Sequence, residues 1–225
     1  MTGASVAEFD EPHRRDRMVA HQLEARGIGD RRVLAAMRRV PREQFVPADL
    51  QREACDDGPL PIGAGQTISQ PYIVALMLEA AQIGAADRVL EIGAGSGYAA
   101  ALMSVLAERV IAIERQPELA ERARATLERL GYRNVEIHCA DGSAGWPEAA
   151  PFDAILVAAG GPRVPEVLRA QLAERGRLVM PVGASHREQR LVKVTRSADA
   201  YREEDLCGVA FVPLIGTHGW AETPE

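Results

Sequence analysis

Lysine is nearly absent from this chain. Lys193 is the only one, and arginine carries the remaining positive charge. Acidic residues outnumber basic ones, 32 to 26, which leaves a net charge of −6. That balance gives no general attraction to nucleic acid or anionic membranes, and only a local basic patch could supply one. Cysteine is scarce as well: Cys55, Cys139 and Cys207 are odd in number, far apart and without a CxxC pair. Neither a disulfide framework nor a metal site is expected from them, and they read as reduced core thiols of a cytoplasmic protein. No apolar run is long enough to span a bilayer. The first residues carry Glu8, Asp10 and Glu11 and lack the apolar stretch of a secretory leader.

What is present is enough apolar residue, 47% of 225, to fill the core of one α/β domain with an appendage. Residues 1–13 read as a flexible polar tail. Residues 14–82 read as N-terminal helices followed by a loop. Met18, Leu23, Val33, Leu34 and Met37 fall at helical spacings, broken at Gly27–Asp30, with Asp30 as an N-cap. Phe45-Val46-Pro47 and Leu60-Pro61 bracket irregular structure. Residues 83–214 then alternate strand and helix. Strands are expected over 88–92, 110–113, 135–139, 152–158 and 177–182, with helices over 98–107, 117–130 and 164–172. Two further strands, 190–195 and 209–214, have no helix between them. The pattern predicts a doubly wound, mostly parallel sheet with an antiparallel edge hairpin. Residues 215–225 form a tail with no assigned role.

Chemistry concentrates where strands end. Val89-Leu90-Glu91-Ile92-Gly93-Ala94-Gly95-Ser96-Gly97-Tyr98 follows a strand and opens a helix, so its glycines allow a tight turn and close approach of backbone to a ligand. A shifted match through Gly95, Gly97 and Ala100 would suit a nicotinamide or flavin enzyme. The GxGxG spacing, with Glu91 just before it, instead matches the class I methyltransferases that use S-adenosylmethionine. Glu114 ends the second strand, where a carboxylate can accept both ribose hydroxyls, or can be a solvated charge. Asp141-Gly142 follows the third strand; an aspartate there can meet the adenine amino group, or can be an ordinary turn. All lie beyond the carboxyl ends of parallel strands, where such sheets bind ligands.

The segment Gly65-Gln66-Thr67-Ile68-Ser69-Gln70-Pro71-Tyr72 combines turn residues with short hydroxyl and amide side chains just before an apolar helix. Together with Val40-Pro41-Arg42-Glu43-Gln44-Phe45-Val46, Leu60–Gly63, Val89–Tyr98, Pro151–Ile155, Leu178–Gly183 and Phe211–Leu214, it resembles the protein-L-isoaspartate O-methyltransferase family over roughly residues 14–214. The resemblance implies a Rossmann-like methyltransferase that moves a methyl group from S-adenosylmethionine to the α-carboxylate of L-isoaspartyl residues in damaged proteins. The ester then closes to a succinimide, which returns partly to aspartate. It implies Ser69 as the active-site residue and Gln66, Thr67, Ile68 and Tyr72 on the substrate side. Glu91, Gly93, Gly95, Ser96, Gly97, Glu114, Asp141 and Gly142 fall on the cofactor side. It implies no metal and a monomer. Ser69 could equally cap the helix that starts near Pro71.

Departures stand beside the likeness. Val157-Ala158-Ala159 occupies the place where relatives often have Thr-Ala-Ala, and Cys55 stands where they usually have an aromatic. Two other readings remain: a related enzyme that esterifies aspartate in a dedicated natural-product peptide, and a cofactor-binding regulatory protein without catalysis.

Overall fold

The computed structural model describes residues 11–185, 188–198 and 200–222. The chain opens with α1 (Glu11–Met18), continues through a π turn (Val19–Leu23) and a short 3₁₀ turn, and stops at Gly27, whose φ of +96° closes the helix in the left-handed region. Helix α1 therefore begins inside the expected tail. After the break, α2 (Arg31–Arg39) starts at Asp30, whose carboxylate accepts from the Arg32 and Val33 amides at 2.8 and 3.3 Å. Such a cap contributes about 1 kcal/mol.

The segment expected to be an irregular loop is a small hairpin. Strand β1 (Leu60–Gly63) pairs antiparallel with β2 (Gln66–Ile68) across Ala64-Gly65. Both turn residues have positive φ, +50° and +67°, the twist that suits a two-residue hairpin. Helix α3 (Pro71–Ala81) follows at once, with proline at its first turn.

Strands β3 (Arg88–Ile92), β4 (Arg109–Glu114), β5 (Val135–Cys139), β6 (Phe152–Val157), β7 (Leu172–Ser185), β8 (Glu188–Ser197) and β9 (Ala200–Val209) form one sheet in the order β5-β4-β3-β6-β7-β8-β9. The first five run parallel, and β8 alone runs against its two neighbours. Helices α4 (Tyr98–Ser104), α5 (Pro117–Arg129) and α6 (Glu166–Ala170) make the crossovers. The chain builds outward from β3 to β5 and then returns to place β6 on the other side of β3. That reversal opens a crevice at the carboxyl ends of the strands.

Side chains alternate across the sheet into two cores. Val89, Ala112, Ala154, Leu156 and Val179 join the N-terminal helical layer through Met37, Leu78 and Tyr98. Leu90, Ile92, Ile111, Ile113, Ile155 and Val157 join Leu168 and Leu178 on the opposite face. Strands buried on both faces read as unbroken apolar runs, which is why β3, β4 and β6 stand out in the sequence.

The last strand does not. Its expected place was 209–214, yet β9 ends at Val209. The residues of β9, AYREEDLCGV, are mostly polar and exposed because they form the sheet edge, where charge discourages further pairing. Residues 210–214 are held beside the sheet by an isolated bridge of Pro213 to Gly160 and by Phe211, whose amide donates to Gln189 Oε1 of β8 at 2.8 Å. Of the cysteines, all free, Cys55 is buried, Cys207 is partly so, and Cys139 is exposed rather than in the core. Among the described residues, no helix is long and apolar enough to cross a membrane, and no three His, Cys, Asp or Glu side chains gather as metal ligands would.

Candidate active site

The first half of the site grows from the ends of β3 and β4. Gly93, Gly95 and Gly97 all have positive φ (+89°, +54° and +86°), a backbone path that other residues follow only under strain. At Gly97 a Cβ would also sit 3.2 Å from that of Ala123 in α5, so this glycine lets the turn and α5 meet. The Glu114 carboxylate is buried and ties the turn to its own strand. It accepts from the Gly95 amide at 2.8 Å and from the Gln116 amide at 2.9 Å. Glu91 is buried too, with 1% of its surface exposed, and one of its carboxylate oxygens has no hydrogen-bond partner among the described residues. Burial pushes its carboxyl well above the ordinary carboxylate range, and the nearby Glu114 adds to the rise. Gly142 is required by contact rather than by φ: a Cβ there would lie 2.6 Å from Ile92 Cγ2.

The second half is the hairpin and the entry to α3. Residue Gln70 occupies the N-cap position with no side-chain cap bond, so Ser69 does not serve as the cap. The Ser69 carbonyl accepts from Arg42 Nη2 at 2.8 Å, and the Ile62 carbonyl accepts from Arg122 Nη2 at 2.6 Å. Ile68 is buried in the core beneath, while Thr67 is exposed.

The halves border an open-mouthed cavity. Of the sequence-predicted residues, Gln66, Thr67, Ile68, Ser69, Glu91, Gly93, Gly95, Ser96, Glu114 and Gly142 line it. A second groove opens on the other side of the hairpin, between Gln70, Ile73, Arg190 and Phe211. Thr67, Ser69, Ala158 and Val212 belong to both walls. Ala158 thus stands between the two spaces and offers no hydroxyl.

Three predicted residues lie elsewhere. Gly97 packs against α5. Tyr72 is covered by the Arg26 guanidinium, 3.7 Å from its ring centroid, and lines neither space. Asp141 was expected at adenine, yet its carboxylate is occupied: one oxygen accepts from the Ser143 amide and hydroxyl, the other from the Thr217 amide at 2.8 Å. Ser143 Oγ in turn accepts from the His218 amide at 3.0 Å. Burial alone would raise the Asp141 carboxyl, but these hydrogen bonds outweigh it and hold the group below its ordinary value. The C-terminal segment, given no role from sequence, therefore folds back as a strap. Its Trp220 ring nitrogen donates to the Gly160 carbonyl at 3.0 Å, and Val212–Ile215 complete the cavity wall. The sequence offered a signal for this in Gly216 and Gly219: a Cβ would meet Asp141 Oδ1 at the first and the Leu214 carbonyl at the second.

A glycine turn after the first parallel strand, a buried acid ending the second and a reversal of strand order beside the first are the marks of the class I, Rossmann-like methyltransferases. The model of the family Protein-L-isoaspartate(D-aspartate) O-methyltransferase matches residues 13–219, and the chain belongs to that family. It is 60% identical, over 94% of its length and 87% of the relative's, to Protein-L-isoaspartate O-methyltransferase 1 of Rhodopseudomonas palustris strain HaA2. It is 57% identical to Protein-L-isoaspartate O-methyltransferase 2 of Pelobacter propionicus, over 94% of both chains. Among solved structures, a protein-L-isoaspartate O-methyltransferase superimposes with a TM-score of 0.82 at 31% identity, covering 91% of this chain and 67% of the other. A putative one from Plasmodium falciparum, solved with S-adenosyl-L-homocysteine, gives 0.76 at 26% identity, over 90% and 96%.

Proposed function

We propose that this chain is a repair enzyme that transfers a methyl group from S-adenosylmethionine to the α-carboxylate of L-isoaspartyl residues in proteins and peptides. The observation that carries the reading is the shared wall: Thr67 and Ser69, uncharged donors, separate an acid-lined cavity from an open groove. The residues present fit the methyl donor. Gly93 and Gly95 let backbone approach it, Glu114 keeps lone pairs for ribose hydroxyls, and the unpartnered Glu91 oxygen lies in the same wall. S-adenosylmethionine supplies an activated methyl on a sulfonium.

The rest is positioning. The acceptor is a carboxylate, already ionised at neutral pH, so no general base is needed. Ser69 and Thr67 hydroxyls, with loop amides, orient it without the neutralising grip of a cation on the reacting oxygen, which would stabilise the ground state. The groove beyond them receives the polypeptide on either side of the lesion. The segment 14–82 serves as the substrate-side layer over the core of 83–214. The enzyme works as a cytoplasmic monomer, with no nucleic acid or membrane partner. The test is methyl transfer to an isoaspartyl peptide and to its matched aspartyl twin. The isoaspartyl peptide alone is expected to be labelled and then to release methanol; equal labelling of both would overturn the reading.

A further inference from the structure

Arg42 is the largest fully buried side chain among the described residues, with none of its surface exposed. Among the described residues no carboxylate pairs with it: its neighbour Glu43 is paired with Arg15 at 2.6 Å instead. Its Nε donates to the Ala54 carbonyl at 2.6 Å and its Nη2 to the Ser69 carbonyl at 2.8 Å. The guanidinium carbon lies 4.8 Å from the Tyr98 ring centroid, and Nη1 has no hydrogen-bond partner among the described residues. Burying an unneutralised cation costs several kcal/mol, and an apolar side chain would fill the space at less cost. What only a long, forked donor can do is reach two separate carbonyls at once. One of them belongs to the residue at the boundary of cavity and groove. The Ser69 carbonyl precedes the first helical residue of α3 and takes no part in its ladder. The Ser69 side chain forms no hydrogen bond among the described residues, so the carbonyl is the group of this residue that Arg42 grips directly.

We propose that Arg42 is a positioning residue for methyl transfer: by gripping the Ser69 carbonyl from inside the N-terminal layer, it fixes the direction in which Ser69 presents its hydroxyl and amide to the acceptor carboxylate. Arg122 holds the other limb of the hairpin through Ile62, so the turn is pinned from both sides while its tip stays free. The proposal rests on the hairpin being the substrate side.

The test is a double-mutant cycle of Arg42→Lys with Ser69→Ala, measured on an isoaspartyl peptide. Binding of S-adenosylhomocysteine is measured alongside by calorimetry. Arg42→Lys keeps a cation but reaches one carbonyl at most. It is expected to lower kcat/KM about tenfold or more, chiefly through kcat, and to change the Kd for S-adenosylhomocysteine less than about threefold. In the Ser69→Ala background the same substitution is expected to cost less than about threefold, because its effect runs through Ser69. Additive effects, or a loss of S-adenosylhomocysteine binding in step with activity, would show a residue that only supports the fold and would overturn the proposal. Should Arg42→Lys fail to melt cooperatively, Arg42→Gln is read the same way, and failure of both to fold overturns it too. Wild-type enzyme that labels no isoaspartyl peptide would instead sink the functional reading.

Discussion

The two halves of the site are built by opposite means. The cofactor half is backbone at the ends of parallel strands, held by acids that come from the same strands: Glu114 ends β4 and reaches Gly95 across to the turn after β3. The half we propose for the substrate is a two-stranded hairpin with little core of its own, held by arginines that arrive from distant segments, Arg42 and Arg122. One half is a property of the sheet; the other is an attachment to it. The first should tolerate little change without losing the ligand. The second should lose turnover while keeping cofactor binding.

Removing the acid that ties strand to turn is the hardest blow. Glu114→Ala is expected to weaken S-adenosylhomocysteine by on the order of 100-fold or more, since it removes charge-assisted hydrogen bonds from a buried site. Calorimetry that found the affinity unchanged would break the comparison. Ser69→Ala is expected to lower kcat/KM roughly 10- to 100-fold while leaving S-adenosylhomocysteine affinity within about threefold. Equal losses in both would mean that the halves are not separable. Gly142→Ala pushes a methyl into Ile92 and should destabilise the protein by about 1–3 kcal/mol, read by denaturant melts.

Smaller effects concern titration. Because the folded Asp141 carboxyl is depressed, its hold on the strap is complete above the ordinary aspartate value of about 3.9 and is lost as pH falls through the lower folded value. Asp141→Ala should mimic that loss at pH 7, red-shifting Trp220 emission. Emission identical to wild type would show that Trp220 alone holds the segment. Glu91 has the opposite sign. Its folded carboxyl is raised, so the apo protein loses stability as pH climbs from about 4.3 toward the folded value. Glu91→Gln does not titrate, and its advantage in Tm over wild type should widen from pH 4 to pH 8; a constant difference would refute the assignment.

What the sequence made legible follows the same division. The cofactor half could be read because its determinants are neighbours in the chain: Glu91 with Gly93 and Gly95, Glu114 at the end of an apolar run, Gly142 after β5. The sheet was equally plain where both faces are buried. The hairpin half was read from its turn composition and from the family resemblance of residues 65–72, neither of which shows its pairing. Its hairpin pairing, and the grips of Arg42 and Arg122, depend on contacts between remote segments, and a single arginine in VPRE looks like any surface charge. Tyr72 was placed by the resemblance and Asp141 by its position after a strand, and neither reading could show the remote partners of their side chains, Arg26 for one and Thr217 for the other. The strand β9 was missed because an edge strand carries the polar pattern of a loop.

Thr67 and Ser69 stand in the wall common to the cavity and the groove. If the methyl donor fills the cavity and the peptide fills the groove, neither passes through the seat of the other and no order of loading is imposed: S-adenosylhomocysteine is expected to bind both with and without peptide, read by calorimetry. A damaged polypeptide can dock while the demethylated nucleoside is still leaving, so exchange of the small molecule need not interrupt residence of the large one.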